Sequence, residues 1–324
     1  MRRTSWTLGS LALVLVLGIV VGTAFGPANL GLRQLVQALF SDGDRSAEVV
    51  VWSLRLPRVT AALLVGACLG TAGALLQTST RNPLGDPQLF GVGGGATIVQ
   101  ALALTGVLSL GPWGLMSMSV AASLLGAGVI SFFASRRDIP PIRLALIGVS
   151  VGALALAITT GVLAHAQVFS QQTLGLIGGS LAQRTWQDTS AALPFMVIGL
   201  GLALAVSGRL NLLVLGDTIA ANLGGNPNGT RLGAMAAAGI LGGTAVAVAG
   251  MVGFVGLMVP HLARGLVGSD ARVVTAVSIP LGAAVTLYAD QVARLAFMPS
   301  EVPVGLVTTA LGAPLMIAVA RRVA

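Results

Sequence analysis

An all-α polytopic membrane fold with about ten transmembrane helices is expected from three features of the chain. Its 324 residues are 55% apolar and 9% charged, with a mean hydropathy of +0.92, which excludes a water-soluble domain with a charged surface. Apolar segments long enough for a hydrocarbon core of about 30 Å follow one another almost end to end. All 18 basic residues are arginine and stand singly or in small groups between those segments, with no basic face to track phosphates. They therefore read as determinants of membrane orientation, not as a nucleic-acid surface.

In chain order, the first span is residues 8–25, behind Arg2 and Arg3; its run of 18 residues exceeds a signal-peptide core and reads as an uncleaved helix. After it, Leu32, Leu35, Val36, Leu39 and Phe40 recur at helical spacing on one stripe, which predicts a short helix on the membrane surface. Arg55-Leu56-Pro57-Arg58 then precedes nineteen uncharged residues, 59–77, the second span. Three more spans follow at 92–110, 115–134 and 144–166, and the second half supplies 191–207, 232–252, 254–266, 273–289 and 304–320. Residues 254–266 are too few to cross a bilayer alone.

With the N-terminus in the cytosol, alternation through ten spans puts twelve arginines inside: Arg2, Arg3, Arg81, Arg136, Arg137, Arg143, Arg209, Arg231, Arg264, Arg272, Arg321 and Arg322. Six lie outside, Arg33, Arg45, Arg55, Arg58, Arg184 and Arg294, and that two-to-one bias agrees with the positive-inside rule. The C-terminus then lies in the cytosol as well. Residues 1–324 read as a single transmembrane domain.

Glycines four apart, Gly66 and Gly70, Gly148 and Gly152, Gly239 and Gly243, predict close helix–helix approach in lipid. The single cysteine, Cys68, has no partner for a disulfide within the chain, and His165 and His261 have no neighbouring ligands in sequence, so no metal site is expected. No GxxxxGK[ST] motif occurs, so this chain is expected to hydrolyse no ATP and to hold no cofactor.

Three segments stand out. Residues 81–87, Arg-Asn-Pro-Leu-Gly-Asp-Pro, form a tight connector that can also bring Leu84 to the mouth of a pathway. In residues 215–225, Asp217 can cap a helix of about two turns, Gly224 can end it in the left-handed conformation, and Ile219 and Leu223 share a face. Such a helix is either a knob for a partner's groove or a loop packed on its own protein. Near the outer surface, Asp290 and Arg294 are one turn apart and expected to neutralise each other. Arg55, Arg58 and Arg294 run against the charge bias, and as exposed guanidinium groups they suit recognition of carboxylates.

Residues 55–58 and 81–87 carry a resemblance, together with Gly253-Phe254-Val255-Gly256-Leu257-Met258-Val259-Pro260-His261-Leu262-Ala263-Arg264, Glu301-Val302-Pro303-Val304-Gly305 and Gly312-Ala313-Pro314. In this order, from about Val51 to Arg322, they resemble the FecCD-type permeases, the membrane subunits of type II ABC importers for ferric siderophores, haem and cobalamin. The resemblance implies a multi-pass protein of the bacterial inner membrane, paired with a second permease in a homodimer or a pseudo-dimer. Two separate ATPase subunits, holding ATP and Mg²⁺, would dock below, and an extracytoplasmic binding protein above. By motif position, Arg55, Arg58 and Arg294 would receive acids of the binding protein. Asp217, Thr218, Ile219, Ala220, Ala221, Asn222, Leu223 and Gly224 would form the helix that couples to the ATPase. Asn82 and Leu84 would stand at one cytoplasmic gate, Pro141 and Ile142 at a second. Cobalamin-type relatives carry small polar residues at that second gate, whereas this chain has Pro140-Pro141-Ile142, and residues 178–186 are more similar to siderophore permeases. A ferric siderophore ranks first as substrate, haem second and cobalamin third.

Two rivals come from other classes. A secondary transporter driven by an ion gradient would need ionisable residues near the midplane, where Asp290 is a marginal candidate. A membrane-embedded enzyme would need a nucleophile, base or metal constellation within the spans, and the sequence offers none.

Overall fold

The computed structural model describes residues 2–26, 30–40, 45–134, 141–168, 171–298 and 300–323, and every element within them is helical. The first half holds α1 (Arg2–Ala24), α2 (Leu32–Leu39), α3 (Arg45–Glu48), a π-helical stretch (Val49–Arg55), α4 (Leu56–Thr80), α5 (Gly94–Leu104), α6 (Pro112–Ala134) and α7 (Pro141–His165). The second holds α8 (Gln171–Gly178), α9 (Trp186–Val214), α10 (Asp217–Asn222), α11 (Pro227–Ala249), α12 (Val255–Val267), α13 (Ala271–Leu295) and α14 (Val304–Val323). Seven helical runs are long and apolar enough to cross a bilayer, and α5, α12 and Val304–Ala318 of α14 are shorter apolar helices. They occupy the ten segments expected from hydropathy, so the all-α polytopic fold is as anticipated. Helices satisfy their own backbone groups, the condition that hydrocarbon imposes on any spanning chain.

The apolar window of α4 is 89% buried, against 22% for α1 and for α7, so α4 is a central post and the other two are peripheral. Around α4 pack α13, α11, α9 and α12; α6 lies beyond α11, α5 between α6 and α7, and α1 against α13. Glycine makes the closest approaches. A Cβ on Gly66 would lie 2.1 Å from the Gly282 carbonyl oxygen, and one on Gly73 would lie 1.9 Å from that of Gly256. Backbone thus touches backbone where α4 meets α13 and α12, and dispersion supplies the adhesion that lipid does not. The other two glycine pairs serve likewise: Gly148 and Gly152 meet residues 88–91, and Gly239 and Gly243 meet α6 around Val120, Ser123, Leu124 and Ala127.

The expected span 92–110 is shorter in the structure. Its helix, α5, has 11 residues, roughly 16 Å, because glycines 91–95 delay its start and Gly106, at φ 77°, follows its end. Both α5 and α12 begin inside the protein, after the non-helical segments 81–93 and 250–254; such backbone is tolerated at depth where protein rather than lipid surrounds it. The surface helix α2 forms as expected, but its stripe is divided. Leu35 and Ala38 pack on Ala47 and Val51 of the following segment, while Val36 and Phe40 stay exposed.

Helix ends carry ordinary caps. Asn226 accepts from the Gly229 N–H ahead of Pro227, Asp270 accepts from those of Arg272 and Val273, and Thr185 and Asp188 form a reciprocal box at α9. The molecule has two ends. One, the α10 end, carries α10, the end of α4 and the start of α11; the opposite, the α2 end, carries α2, the start of α4 and the end of α13.

Candidate functional site

At the α2 end the three arginines singled out from the sequence come together, but they are buried rather than exposed. Arg58 sets Nε and Nη2 against the Asp290 carboxylate at 2.9–3.1 Å and Nη1 against Glu301 at 2.8 Å. Arg294 does not pair with Asp290. It donates through Nη2 to the carbonyls of Gly22 (3.0 Å) and Phe25 (2.8 Å), while Arg55 donates through Nη1 to those of Thr23 (2.7 Å) and Ala24 (2.8 Å). The reason is the end of α1: its last carbonyls have no helical partner, and two guanidinium groups from α13 and the π-helical stretch cap them. Asp290 is left to the planar fork of Arg58, which matches a carboxylate in two parallel bonds.

At the α10 end, α10 begins after Gly216 at φ 103° and is followed by Gly224 at φ 81°. Gly224 takes the left-handed conformation expected of it. Asp217 is not the cap. Gly216 occupies that position, and the Asp217 carboxylate instead accepts from Arg81 Nη2 at 2.8 Å and from Arg231 Nη2 at 3.0 and 3.2 Å. Ile219 and Leu223 are 50% and 60% exposed while Ala220 is buried, so the apolar face of α10 points away from its own protein. Of the gate residues, Asn82 is buried and its Oδ1 accepts from the Leu84 N–H, which turns the Leu84 side chain outward. Ile142 is 71% exposed in the first turn of α7. Pro141 opens that helix, and its side chain lies outside the described residues, as do Pro140, Arg136 and Arg137.

Between the two ends lies a cavity of about 380 Å³, walled by residues 86–94, α7, the end of α8, residues 251–254 and the start of α14. Its walls are mainly apolar, from Leu89, Val149, Leu156, Ile177, Phe254 and Leu306, with Asp86, Gln88, Thr97 and Thr309 as polar points. The Asp86 carboxylate caps the turn that follows it, accepting from the N–H groups of Gln88 (2.8 Å) and Leu89 (3.2 Å). Three chain segments converge on this wall: Met251 N–H donates to the Leu176 carbonyl, Ser180 N–H to that of Ala249, and a Cβ on Gly305 would lie 2.2 Å from the Gly178 oxygen. A smaller polar cavity of about 280 Å³ adjoins it, lined by Gln100, Gln172, Gln183, Arg184 and Asp188. The arrangement can host a solute between apolar walls, with Asp86, Gln88, Thr97 and Thr309 as its polar points.

Sequence reasoning missed Arg231 as more than an inner charge, along with α8 and the π-helical stretch. Arg231 is buried, with Nε on the Ser79 carbonyl and Nη1 on that of Ala134, each at 3.2 Å. An arginine four residues into an apolar helix was the available signal, since a cation there needs partners.

Comparison with known proteins agrees along the whole chain. The model of the FecCD transport family matches residues 13–322. The Fe(3+)-citrate import system permease protein YfmD of Bacillus subtilis (strain 168) is 36% identical over 324 residues, covering 99% of this chain and 97% of that protein. The ferric enterobactin transport system permease protein FepD of Escherichia coli (strain K12) is 36% identical over 318 residues, 96% of this chain and 94% of that one. A solved metal-chelate type ABC transporter in an inward-facing conformation matches with a TM-score of 0.83 at 28% identity, over 97% of this chain and 98% of that chain.

Proposed function

The chain belongs to the FecCD transport family, and from that premise we propose that it is the permease subunit of an ATP-driven importer of a ferric chelate, with ferric siderophores as the substrate class. The observation that carries this reading is the match of nearly equal length to an Fe(3+)-citrate import permease at 36% identity. Permeases named for iron(3+)-hydroxamate and ferric enterobactin, at 35% and 36% identity, support oxygen-ligated iron as the common cargo. In this reading ATP and Mg²⁺ belong to a separate ATPase, in two copies beneath a homodimer of permeases, in keeping with a sequence that carries no GxxxxGK[ST] motif. The outward-facing Ile219 and Leu223 support residues 217–224 as the helix seated in that ATPase. Exposed apolar residues on α7 and α14, Leu146 and Leu154 on one and Leu306 and Leu311 on the other, suit a second copy, with the 380 Å³ cavity along the path between them.

In this reading an extracytoplasmic binding protein seats on the α2 end. Buried as they are, Arg55, Arg58 and Arg294 set three positive charges against the two carboxylates of Asp290 and Glu301, and the surplus attracts acidic lobes before contact. The α10 end faces the cytosol with both termini. The connector residues Asn82 and Leu84, with Pro141 and Ile142 opposite, form the cytoplasmic gate. Reconstitution in liposomes with the ATPase and binding protein tests the whole. Radioiron uptake from a ferric citrate, hydroxamate or catecholate complex is expected only with ATP inside; uptake without ATP would return the protein to the gradient-driven transporters.

A further inference from the structure

Arg231 joins four elements through one side chain. It belongs to α11, its Nε holds the Ser79 carbonyl in the last turn of α4, its Nη1 holds the Ala134 carbonyl at the end of α6, and its Nη2 holds Asp217 in the first turn of α10. The Arg231 side chain is 6% exposed and that of Asp217 46%, so the cation is enclosed while the carboxylate sits at the surface of the α10 end. Asp217 is shared with Arg81, whose backbone, at φ 52°, closes α4 and starts the connector that carries Asn82 and Leu84. A guanidinium stays charged and presents its donors in a fixed plane. A shift of Asp217 therefore acts on a rigid body bonded to the ends of α4 and α6, and through Arg81 on the connector. The apolar face of α10, with Ile219 and Leu223, is turned outward, while Ala220 is buried on the opposite side.

We propose that the Arg231–Asp217–Arg81 clamp is the mechanical link by which displacement of α10 is delivered to the 81–86 connector and the ends of α4 and α6. Arg231 and Arg81 are positioning residues, and neither touches the cargo. The inference rests on the reading of α10 as the helix seated in the ATPase. It adds which side chains receive the movement and which helix ends they move.

The test uses the full complex of permease, ATPase and binding protein in liposomes, with chelate uptake and ATP hydrolysis measured on the same vesicles. Arg231→Lys keeps the positive charge but loses the planar fork, and Asp217→Asn keeps the shape but loses the charge. Each is expected to lower chelate imported per ATP hydrolysed by roughly tenfold. Asp217→Glu, which restores the carboxylate, is expected to recover most of that ratio. Complexes are first checked for wild-type subunit stoichiometry, so that a folding defect is not read as uncoupling. An unchanged ratio in both variants, or a uniform loss of uptake and hydrolysis that Asp217→Glu does not recover, overturns the clamp. Wild-type uptake that ignores ATP would overturn the importer reading itself, a different result from a wild-type complex that couples and variants that couple equally well.

Discussion

Arg58 holds two carboxylates at once, with its own side chain 11% exposed and that of Asp290 4%. Removing the cation would leave Asp290 enclosed without its hydrogen-bonded counterion, at a cost of about 3–5 kcal/mol. Arg58→Ala is expected to lower the melting temperature of the purified protein accordingly, and adding Asp290→Asn to restore part of the loss, as non-additive effects of contacting residues do. Arg58→Glu is expected to be worse, because three carboxylates would then face one another. Uptake lost in that variant would report folding before it reported any docking partner. Asp270 offers a smaller effect with a pH signature. Its carboxylate is held below the ordinary range, first by the Asn211 amide and then by the N–H groups of Arg272 and Val273. A depressed carboxylate stabilises fully above its ordinary pKa and loses that contribution as pH falls through the lowered one. Asp270→Ala is expected to cost about 1 kcal/mol at neutral pH, with the difference from wild type closing below about pH 4 in melting curves. That Asp270 caps a helix was open to sequence logic; that Asp290 chooses Arg58 over the arginine one turn away was not, since the unpaired carbonyls of α1 draw Arg294 elsewhere.

Helix α4 can stand at the centre because its small residues let neighbours come to backbone contact. Gly73→Ala would place a methyl 1.9 Å from the Gly256 oxygen, with backbone on both sides and nothing flexible to yield. Its cost is expected to exceed the ~1–3 kcal/mol of ordinary overpacking, read as a lowered melting temperature and loss of a single symmetric peak in size exclusion. Gly128→Ala in α6, with nothing within 4 Å of the added Cβ, is the control and should be neutral or up to about 1 kcal/mol stabilising. The spacing of Gly66 and Gly70 announced close packing, but the equally important Gly73 lies outside that pattern. Spacing marks a helix stripe and does not name the helix that meets it. The same limit explains the shortened α5 and the unforeseen α8: an apolar run has the same composition whether it spans, stops at depth or turns back, and the difference lies in what surrounds its ends.

The whole molecule presents an exposed apolar knob at the α10 end, a buried cluster of three arginines with Asp290 at the other, and a cavity between them. If α10 seats in an ATPase, Ile219→Glu should weaken co-purification of that subunit roughly tenfold or more, with the permease still monodisperse, as measured by the ATPase-to-permease ratio in detergent. Undiminished ATPase retention would place the docking surface elsewhere. Hydropathy and length were enough for ten helical segments and a membrane protein, because hydrocarbon leaves a chain few ways to satisfy its backbone and each leaves a long apolar run in the sequence. The short helix at 217–222, with Gly224 beyond it, was legible for a similar reason: helix ends are written in residues only a few positions apart. The long-range bonds of the arginines were beyond such reading. Arg58 and Asp290 are 232 positions apart, and Arg231 and Ser79 are 152 apart. Those partners meet because the packing of α4 against α13 and α11 brings their ends together, and no local period in the chain encodes a contact of that range.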